Sequence, residues 1–417
     1  MNTIRSRQAG TLRAIALVWG VAPLVGCGEG HTELPVAAAH ECPTGTVERR
    51  PLVLPDGTEA YVEPMNLLRV GSDFVVVGAP SYTWRAGGTR VIMASDRAHL
   101  AAYLDEDAPR LVPMPVDVPP GIVRSVVLDE RRWGALFSEA DPEAFSSLSA
   151  VVGLWYAEYD GERWTDAERV PLPAGSELFV GTASALVPRD DALAWVVVTG
   201  NGGAVFDYER RDGVWRFDVF EERGVEAAAT VSGPSGTWLA LSGVDPDLPV
   251  WTKSVRLFRW GSGWQFVSRV ATVATYTEIQ DLFVSELPDG ATVTWRELSR
   301  QGASAMARVG ISTDSPGTPL VVDAHAQQAK PLTLANGTPA WVVQHVSEIT
   351  GLADLRLVRL EGRGTTVSWR IPYPYTGYYA ATPAGPNEVL VTGSEFDPDP
   401  ARPTVRSLTL RLSSSCQ

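Results

Sequence analysis

The chain has 417 residues, and 35 basic against 49 acidic side chains give it a formal net charge of −14. So acidic a surface repels nucleic-acid phosphates and anionic lipid headgroups, which excludes a protein that binds either of them electrostatically. The 38 glycines and 31 prolines are spread along the chain, a distribution that favours many short strands and frequent turns. We expect one all-β domain, because repeat folds reach this length as a single unit.

The first 26 residues have the three parts of a secretory signal peptide. Arg5, Arg7 and Arg13 precede the apolar run AIALVWGVAPLV at 14–25, and the small residue Gly26 follows it. This run is much shorter than the roughly 20 residues of a membrane-spanning helix. The pattern predicts a signal peptide over residues 1–26. Its removal takes away three arginines and no acidic residue, which leaves a net charge of −17.

The residues around the predicted cleavage point, LVGC at 24–27, resemble the lipobox of bacterial lipoproteins. That resemblance implies a diacylglycerol on the sulfur of Cys27, which becomes the first residue of the mature chain. Acyl chains anchor a protein because each buried methylene contributes about 0.8 kcal/mol. In enterobacterial members Asp after the cysteine directs inner-membrane retention, so Gly28 favours the outer membrane or cell surface. An ordinary signal peptide and an N-terminal membrane anchor are the alternatives.

Residues 27–41 show neither strand nor helix periodicity, so we expect the acylated cysteine and a flexible tether there. The folded domain then covers residues 42–417. Cys42 lies at its start and Cys416 near its end. Two further cysteines in an exported protein predict a disulfide, with two free thiols as the alternative. Such a bridge requires the two ends of the domain to meet in space.

Two motifs recur along this domain. The first is a hairpin with a polar glycine turn and a closing tryptophan, which recurs about every 50 residues at Trp164, Trp215 and Trp264. The second is a pair of short apolar strands around a polar turn. Its seven copies read LLRVGSDFVVVGA at 67, SVVLDERRWGALFSEA at 125, SALVPRDDALAWVVVTG at 184, AATVSGPSGTWLALSG at 228, DLFVSELPDGATVTWRE at 281, PLTLANGTPAWVVQHV at 331 and YYAATPAGPNEVLVTGSE at 378.

Seven units of four strands each resemble the blades of a β-propeller. The seventh unit lacks a fourth strand after SLTLRL at 407–412, while TVERRPLVLP at 46–55 is an unpaired strand. We therefore predict a seven-bladed propeller of four-stranded antiparallel blades, closed by N- and C-terminal strands that share the last blade. A six- or eight-bladed propeller and tandem β-sandwiches are the alternatives. We expect a monomer, because closure leaves no free sheet edge.

No catalytic or metal-binding motif is present, so we expect no cofactor, no metal and no assigned catalytic residue. His99, His325 and His345 lie in different repeats, and HExxH and GxSxG are absent. Two segments are similar to sialidase motifs, WRIP at 369–372 and STDSPG at 312–317. Their positions do not fit that family, and its three arginines and Tyr–Glu pair cannot be assigned. A strand residue is therefore the better interpretation of Arg370.

One face of the predicted propeller carries aromatic and acidic loop residues. Strands alternate in direction, so the loops after each second strand share a face with the links between blades. The Asp-Pro-acid sequence occurs in three of these loops, at 141–143, 245–247 and 397–399. The predicted ligand-binding residues are Tyr82, Trp84, Tyr373, Tyr375, Asp397 and Asp399. The alternative is structural, because Asp-Pro initiates turns and Tyr-Pro packs over blade ends.

The sequence favours a non-catalytic binding module whose ligand is a glycan or a protein. The alternative is a glycan hydrolase or lyase of the sialidase-like propeller type. An enzyme of that kind needs ionisable side chains that converge on the central cavity, whereas a cavity lined by small apolar residues would exclude it.

Overall fold

The computed structural model describes residues 46–51, 63–79, 99–104, 110–113, 115, 118, 121–140, 151–174, 184–199, 203–221, 224–249, 252–273, 277–299, 302–347, 353–372, 379–385, 388–397 and 404–413. None of these residues lies in a helix, and so none belongs to an apolar helix long enough to cross a membrane.

The described residues form twenty-eight strands in seven four-stranded sheets. Strand β1 (Thr46–Pro51) belongs to the last sheet. Sheets 1 to 3 follow in chain order: β2 (Glu63–Val70), β3 (Asp73–Ala79), β4 (His99–Tyr103) and β5 (Arg110–Pro113); β6 (Gly121–Val127), β7 (Trp133–Ala140), β8 (Val151–Tyr159) and β9 (Glu168–Arg169); β10 (Leu186–Arg189), β11 (Ala192–Val198), β12 (Val205–Arg211) and β13 (Val214–Glu221).

Sheets 4 to 7 continue the same order. They consist of β14 (Val225–Gly233), β15 (Gly236–Val244), β16 (Lys253–Trp260) and β17 (Trp264–Val273); β18 (Glu278–Leu287), β19 (Gly290–Ser299), β20 (Gly302–Ile311) and β21 (Thr318–Asp323); β22 (Ala326–Thr333), β23 (Pro339–Val346), β24 (Ala353–Glu361) and β25 (Gly364–Pro372); and β26 (Tyr379–Gly385), β27 (Glu388–Asp397) and β28 (Thr404–Ser413), with β1. All pairings are antiparallel, and the architecture is a β-propeller with four-stranded blades, as the repeats predicted.

The last sheet joins the two ends of the folded chain. Its order is β1-β28-β27-β26, and β1 pairs with β28 from Thr46 opposite Ser413 to Pro51 opposite Leu408. The unpaired strand that the sequence predicted at 46–55 is described over Thr46–Pro51, and there it completes this sheet as its fourth member. The predicted sharing of one sheet by the N- and C-terminal strands is confirmed by this pairing.

Neighbouring sheets pack face to face through apolar clusters. Sheet 7 and sheet 1 share the cluster of Leu67, Val76, Ala380 and Leu390, and six further clusters join the other consecutive pairs of sheets. Strands inside such a stack are covered on both faces, which explains their continuous apolar sequences. Every residue of β11 is buried. Burial of one large apolar side chain stabilises the fold by about 1.5–3 kcal/mol.

The closing tryptophan of each hairpin motif contacts the preceding sheet. The Nε1 of Trp164 donates a hydrogen bond to the carbonyl oxygen of Pro113 in sheet 1, at 2.8 Å. The Trp215 ring lies 5.5 Å from that of Tyr156 in sheet 2, and Trp264 Nε1 donates to Asp207 of sheet 3 at 2.8 Å. The periodic tryptophans thus connect each outer hairpin to the preceding sheet through ring packing and hydrogen bonds.

The glycine turns of these hairpins need an unusual backbone. Asp212 and Gly213 between β12 and β13 have φ values of 53° and 72°. Positive φ at both central residues is the signature of the two-residue turn that matches the right-handed twist of paired strands. Gly213 adopts it without a steric penalty, and Asp tolerates it better than most residues.

Candidate functional site

In a β-propeller the strands nearest the axis contact one another from blade to blade. Here the strands in contact from sheet to sheet are β2, β6, β10, β14, β18, β22 and β26. We call these the inner strands and the space between them the channel. An inner strand that only filled a core would be apolar throughout. Instead, several inner strands carry polar or charged residues in their first half.

A β-bulge marks the start of four inner strands. The pairing register with the second strand shifts after one extra residue in β2, β6, β14 and β22. The first paired residues after these shifts are Asn66, Arg124, Ala227 and Gln328. A wider irregularity in β18 contains Asp281, with φ of 48°. Bulges re-aim side chains and occur often beside functional sites.

Lys330 on β22 is the most distinctive of the channel residues. Its Nζ donates a hydrogen bond to the carbonyl oxygen of Tyr379 on β26 and lies 4.9 Å from the centroid of the Tyr379 ring. Desolvation lowers the pKa of Lys330 to about 8, the charge of Asp281 opposes that change and the charge of Arg124 adds to it. The side chain nevertheless keeps part of its accessible surface. A lysine that is largely surrounded by protein and keeps some accessible surface is expected inside a narrow channel.

Arg124 on β6 is the second cation of this region. Its Nε donates to the carbonyl oxygen of Ser184 at 2.9 Å. Burial lowers the pKa of Arg124 to about 10. Its charge contributes to the lowered pKa of Lys330, although the two residues belong to sheets 2 and 6.

Asp281 on β18 is the acidic residue of this region, and it forms an ion pair with Arg296 on β19. Asp281 Oδ2 lies 2.7 Å from Nε of Arg296, and Nη2 of Arg296 also donates to Gln280 at 2.6 Å. This ion pair lies within sheet 5.

Two buried amide groups near the bulges lack hydrogen-bond partners. They are Nδ2 of Asn66, a donor, and Oε1 of Gln328, an acceptor. Gln328 precedes Lys330 by two residues and therefore shares its face of β22. A buried polar atom without a partner costs roughly 1–3 kcal/mol. Water or a bound ligand would satisfy both atoms.

A second ionic group lies where sheets 5 and 6 meet. Nδ1 of His345 on β23 contacts both carboxylate oxygens of Asp323, at 2.9 and 3.0 Å, and the backbone amide of His325 donates to Asp323 at 2.8 Å. The rings of His325 and His345 lie 5.6 Å apart. The sequence analysis assigned these two histidines to different repeats, and the structure brings their rings together.

The same group continues outward along sheet 6. Arg356 bridges Asp323, at 3.4 Å, and Asp354, at 2.6 Å. Arg370 on β25 completes the series, 2.5 Å from Asp354. It belongs to the outermost strand of its sheet, in agreement with its interpretation as a strand residue. In the described part of the chain, no three His, Cys, Asp or Glu side chains are grouped so as to hold a metal.

Most of the residues that the sequence predicted for function lie outside the described residues. These are Cys27, Cys42, Tyr82, Trp84, Tyr373, Tyr375, Asp399 and Cys416. The backbone of Asp397 is described, and it ends β27 opposite Thr404. The predicted aromatic and acidic site on the loop face therefore stays a prediction.

The Asp-Pro-acid sequence at 245–247 lies within the described residues, and it has a structural role. The buried carboxylate of Asp245 accepts hydrogen bonds from Arg269 at 2.6 and 3.2 Å, from Ser254 at 2.6 Å and from the amide of Asp247 at 3.0 Å. Burial acts to raise the pKa of Asp245, but these hydrogen bonds outweigh it and lower the pKa to about 2. Asp245 thus fastens its loop and does not face a ligand.

Comparison with known proteins adds information on the fold alone. No protein-family model and no curated protein matches the chain. A protein of unknown function from Dyadobacter fermentans matches with a TM-score of 0.45 and 14% identity, over 70% of this chain and 93% of the other. The sialidase of Trypanosoma rangeli gives 0.41 and 11%, over 89% and 60%. An α-L-arabinofuranosidase from Fusarium graminearum gives 0.44 and 12%, over 71% and 95%. At these levels of similarity no functional residue is transferred.

The channel residues were missed by the sequence analysis for an identifiable reason. The search for paired apolar strands began its copies at Ser125 and Pro331, directly after Arg124 and Lys330. A usable signal was nevertheless present. Lys330 is one of only two lysines in the chain, and it follows an alanine and precedes an apolar strand.

Proposed function

We propose that this protein is an exported lipoprotein whose propeller binds a polar ligand in the channel without transforming it. The observation that carries the proposal is a pair of buried amide atoms without partners, Asn66 Nδ2 and Gln328 Oε1, on the bulged inner strands β2 and β22, the second of which also carries the desolvated Lys330. Desolvated charges cost free energy, so a fold that needed only stability would gain from apolar residues at these positions. Buried ionisable groups in a cleft are characteristic of functional sites.

Binding is favoured over glycan hydrolysis by the composition of this group. Glycosidases generally require two carboxyl groups on opposite sides of the bond that they cleave. Among the described residues, the charges that act on Lys330 come from one carboxylate and one guanidinium. That carboxylate, Asp281, forms an ion pair with Arg296 at 2.7 Å, so it is already engaged within the protein.

We further propose that the seven sheets are seven blades of one closed ring, sealed by a disulfide between Cys42 and Cys416. The apolar cluster between sheets 7 and 1 supports closure. The register of β1 with β28 supports the bridge, because Cys42 precedes Thr46 by four residues and Cys416 follows Ser413 by three. A disulfide requires Cα atoms within about 7 Å.

For the location of the protein, we propose the outer membrane or cell surface, with the acyl group on Cys27 as the membrane contact. The net charge of −17 after signal cleavage supports a lipid anchor over electrostatic adsorption to anionic headgroups. Residues 28–41 would then separate the propeller from the bilayer as a flexible tether.

The proposal is tested with an array of glycans, peptides and small metabolites probed with the mature protein in mild detergent. We expect ligands whose retention is lost in Lys330→Met and in Asp281→Asn. Arg163→Met is the control, because it removes one charge from a side chain that is 86% exposed. Ligands that bind all four proteins equally would contradict a channel site. Turnover of a bound ligand would contradict the non-catalytic function.

A further inference from the structure

Among the described residues, each four-stranded sheet ends in an outer strand that pairs on one side only. These strands are β1, β5, β9, β13, β17, β21 and β25. An unpaired edge offers backbone donors and acceptors to another chain, and proteins blunt such edges with short strands, prolines and bulges. Six of the edges have one of these features. Strand β9 has two residues, β17 has two register shifts, and the other four contain Pro51, Pro113, Pro319 or Pro372.

Strand β13 lacks these protections over most of its length. From Val214 to Val219 it contains no proline, and its register with β12 shifts only after Val219. Val214 and Val219 are 52% and 53% exposed, and they are two of the four large apolar residues that are exposed in the described part of the chain. A regular, accessible edge with exposed valines is the kind of edge that pairs with another strand.

The two-residue turn between β12 and β13 determines which backbone groups of β13 point outward. Such a turn is flanked by a hydrogen-bonded pair, here Arg211 with Val214, and hydrogen-bonded pairs then alternate with non-hydrogen-bonded pairs. Trp215, Phe217 and Val219 fall in non-hydrogen-bonded pairs with β12. Their amides and carbonyls therefore point away from the sheet.

These outward groups match a second copy of the same strand. Two β13 strands can run antiparallel about a two-fold axis at Phe217, with Trp215 of each copy opposite Val219 of the other. All the outward amides and carbonyls then exchange hydrogen bonds across the axis. Arg216 of each copy lies opposite Asp218 of the other, in non-hydrogen-bonded pairs where side chains approach most closely. Opposite charges in such pairs are stabilising.

The charges also select this register over its neighbours. The two adjacent registers that keep the hydrogen bonds place Arg216 opposite Arg216 or Asp218 opposite Asp218, and like charges directly opposite each other are destabilising. Within the described residues, neither side chain has a hydrogen bond or an ion pair of its own. Both charges are therefore available to a partner strand.

We propose that this protein forms a two-fold symmetric dimer through edge-to-edge pairing of β13 with β13 of a second copy. A two-fold interface has to be self-complementary, and the order of Arg216, Phe217 and Asp218 meets that requirement. The dimer is independent of the channel function. It differs from the monomer expected from the sequence, because closure of the propeller leaves the outer edge of each sheet unpaired. A ladder from Trp215 to Val219 is short, so the dimer is weak and reversible.

The test is sedimentation equilibrium of the mature protein in a density-matched detergent, up to high micromolar concentration. We expect a reversible dimer of the wild type. Arg216→Asp alone and Asp218→Arg alone should each weaken it at least tenfold, because like charges then meet twice across the axis. An equimolar mixture of the two variants should dimerise again, because each copy supplies the charge that the other lacks. Arg163→Asp, at a side chain that is 86% exposed and outside β13, should dimerise as the wild type does.

A second variant tests the backbone pairing without a change of charge. Val219→Pro removes an amide that points away from β12, a position at which an edge strand tolerates proline, and it should weaken the dimer at least tenfold. Val219→Thr keeps the amide and should retain most of the affinity. Near-ultraviolet circular dichroism establishes that each variant is folded.

Three results would overturn the proposal. The first is a wild-type protein that stays monomeric at the highest concentration. The second is association that is equally strong in the wild type and in all variants, which would indicate chains that only share a detergent micelle. The third is a mixture of Arg216→Asp and Asp218→Arg that associates no better than either variant alone, because the charges would then not lie opposite each other.

Discussion

Thr46 and Ser413 are directly opposed in the antiparallel ladder that joins the first described strand to the last. The ladder comprises six consecutive residue pairs and ends with Pro51 opposite Leu408. Pairing between strands so far apart in sequence carries a large entropic cost of loop closure. A covalent link beside the ladder would remove much of that cost from the folding reaction.

The first prediction concerns this link. We expect non-reducing peptide mapping to find Cys42 bonded to Cys416, and the Cys42→Ser/Cys416→Ser variant to unfold at a lower denaturant concentration. Chain entropy gives an upper limit of about 6 kcal/mol for so long a loop. Reduction of the wild-type protein should reproduce the loss. Two alkylatable thiols in the folded, oxidised protein would disprove the bridge.

The second prediction concerns Asp245 and acid stability. Its pKa of about 2 lies below the ordinary value of 3.8, so its contribution is present above about pH 4 and is lost as the pH falls through 2. Asp245→Asn should cost about 2 kcal/mol at pH 7, and the difference from wild type should shrink towards pH 2. Asp247→Asn, at a side chain that is 82% exposed, is the matched control. A difference independent of pH would assign the effect to packing.

The third prediction uses the desolvated Lys330. Its pKa of about 8 in the folded protein compares with an ordinary value of 10.5. Between these values the unfolded chain binds more protons, so stability should rise with pH across that window. Wild type should therefore gain stability relative to Lys330→Met between pH 8 and 10.5, with no relative change below about pH 7. Denaturant titrations across this range measure it, and a flat or falling difference would place the amine in bulk solvent.

The fourth prediction tests the tryptophans that fasten the hairpins. Trp164 packs against the rings of Trp133 and Phe137 and donates to Pro113 of the preceding sheet. Trp164→Ala should cost about 3 kcal/mol in a denaturant titration. Trp164→Phe should cost less, because it loses mainly the hydrogen bond. Phe266→Ala, at a side chain that is 55% exposed, should change the free energy of unfolding very little. An equally large loss of stability in Phe266→Ala would show that the tryptophans contribute no more than other aromatic residues.

The fifth prediction concerns the anchor. Cells that express the wild-type gene and are fed a labelled fatty acid should yield a labelled protein, whereas Cys27→Ser should remain unlabelled and unprocessed at that site. The lipid would then be the main attachment, because two or three acyl chains hold a protein stably on a bilayer. Label retained by the Cys27→Ser protein would refute the lipobox assignment.

The sequence predicted the architecture well because periodic features determine it. The apolar strand pairs, the glycine turns and the tryptophans recur at nearly constant spacing, and each corresponds to an observed hairpin or inter-sheet contact. The role of 46–55 was predictable because one strand lacked a partner at each end of the repeat series. These features are local in sequence or follow from counting.

The polar residues of the inner strands were not predictable in the same way. They belong to different sheets, as Arg124 and Lys330 do, and only the contacts between those sheets bring their strands to one part of the fold. Sequence position cannot show that Asp245 is neutralised by Arg269, 24 residues later, so an acidic loop was interpreted as a possible ligand site. The proximity of His325 and His345 likewise depends on the link between sheets 5 and 6.

The recurrent bulge at the start of the inner strands has an evolutionary consequence. In the four repeats that carry it, the bulge gives one position whose side chain is re-aimed while the hydrogen-bond ladder beyond it continues unchanged. That position holds an amide in Asn66, a guanidinium in Arg124, a methyl group in Ala227 and an amide again in Gln328. Descendants of this chain could therefore acquire new ligands through single substitutions there, each repeat changing independently, while selection on folding continued to act on the apolar remainder of the strand.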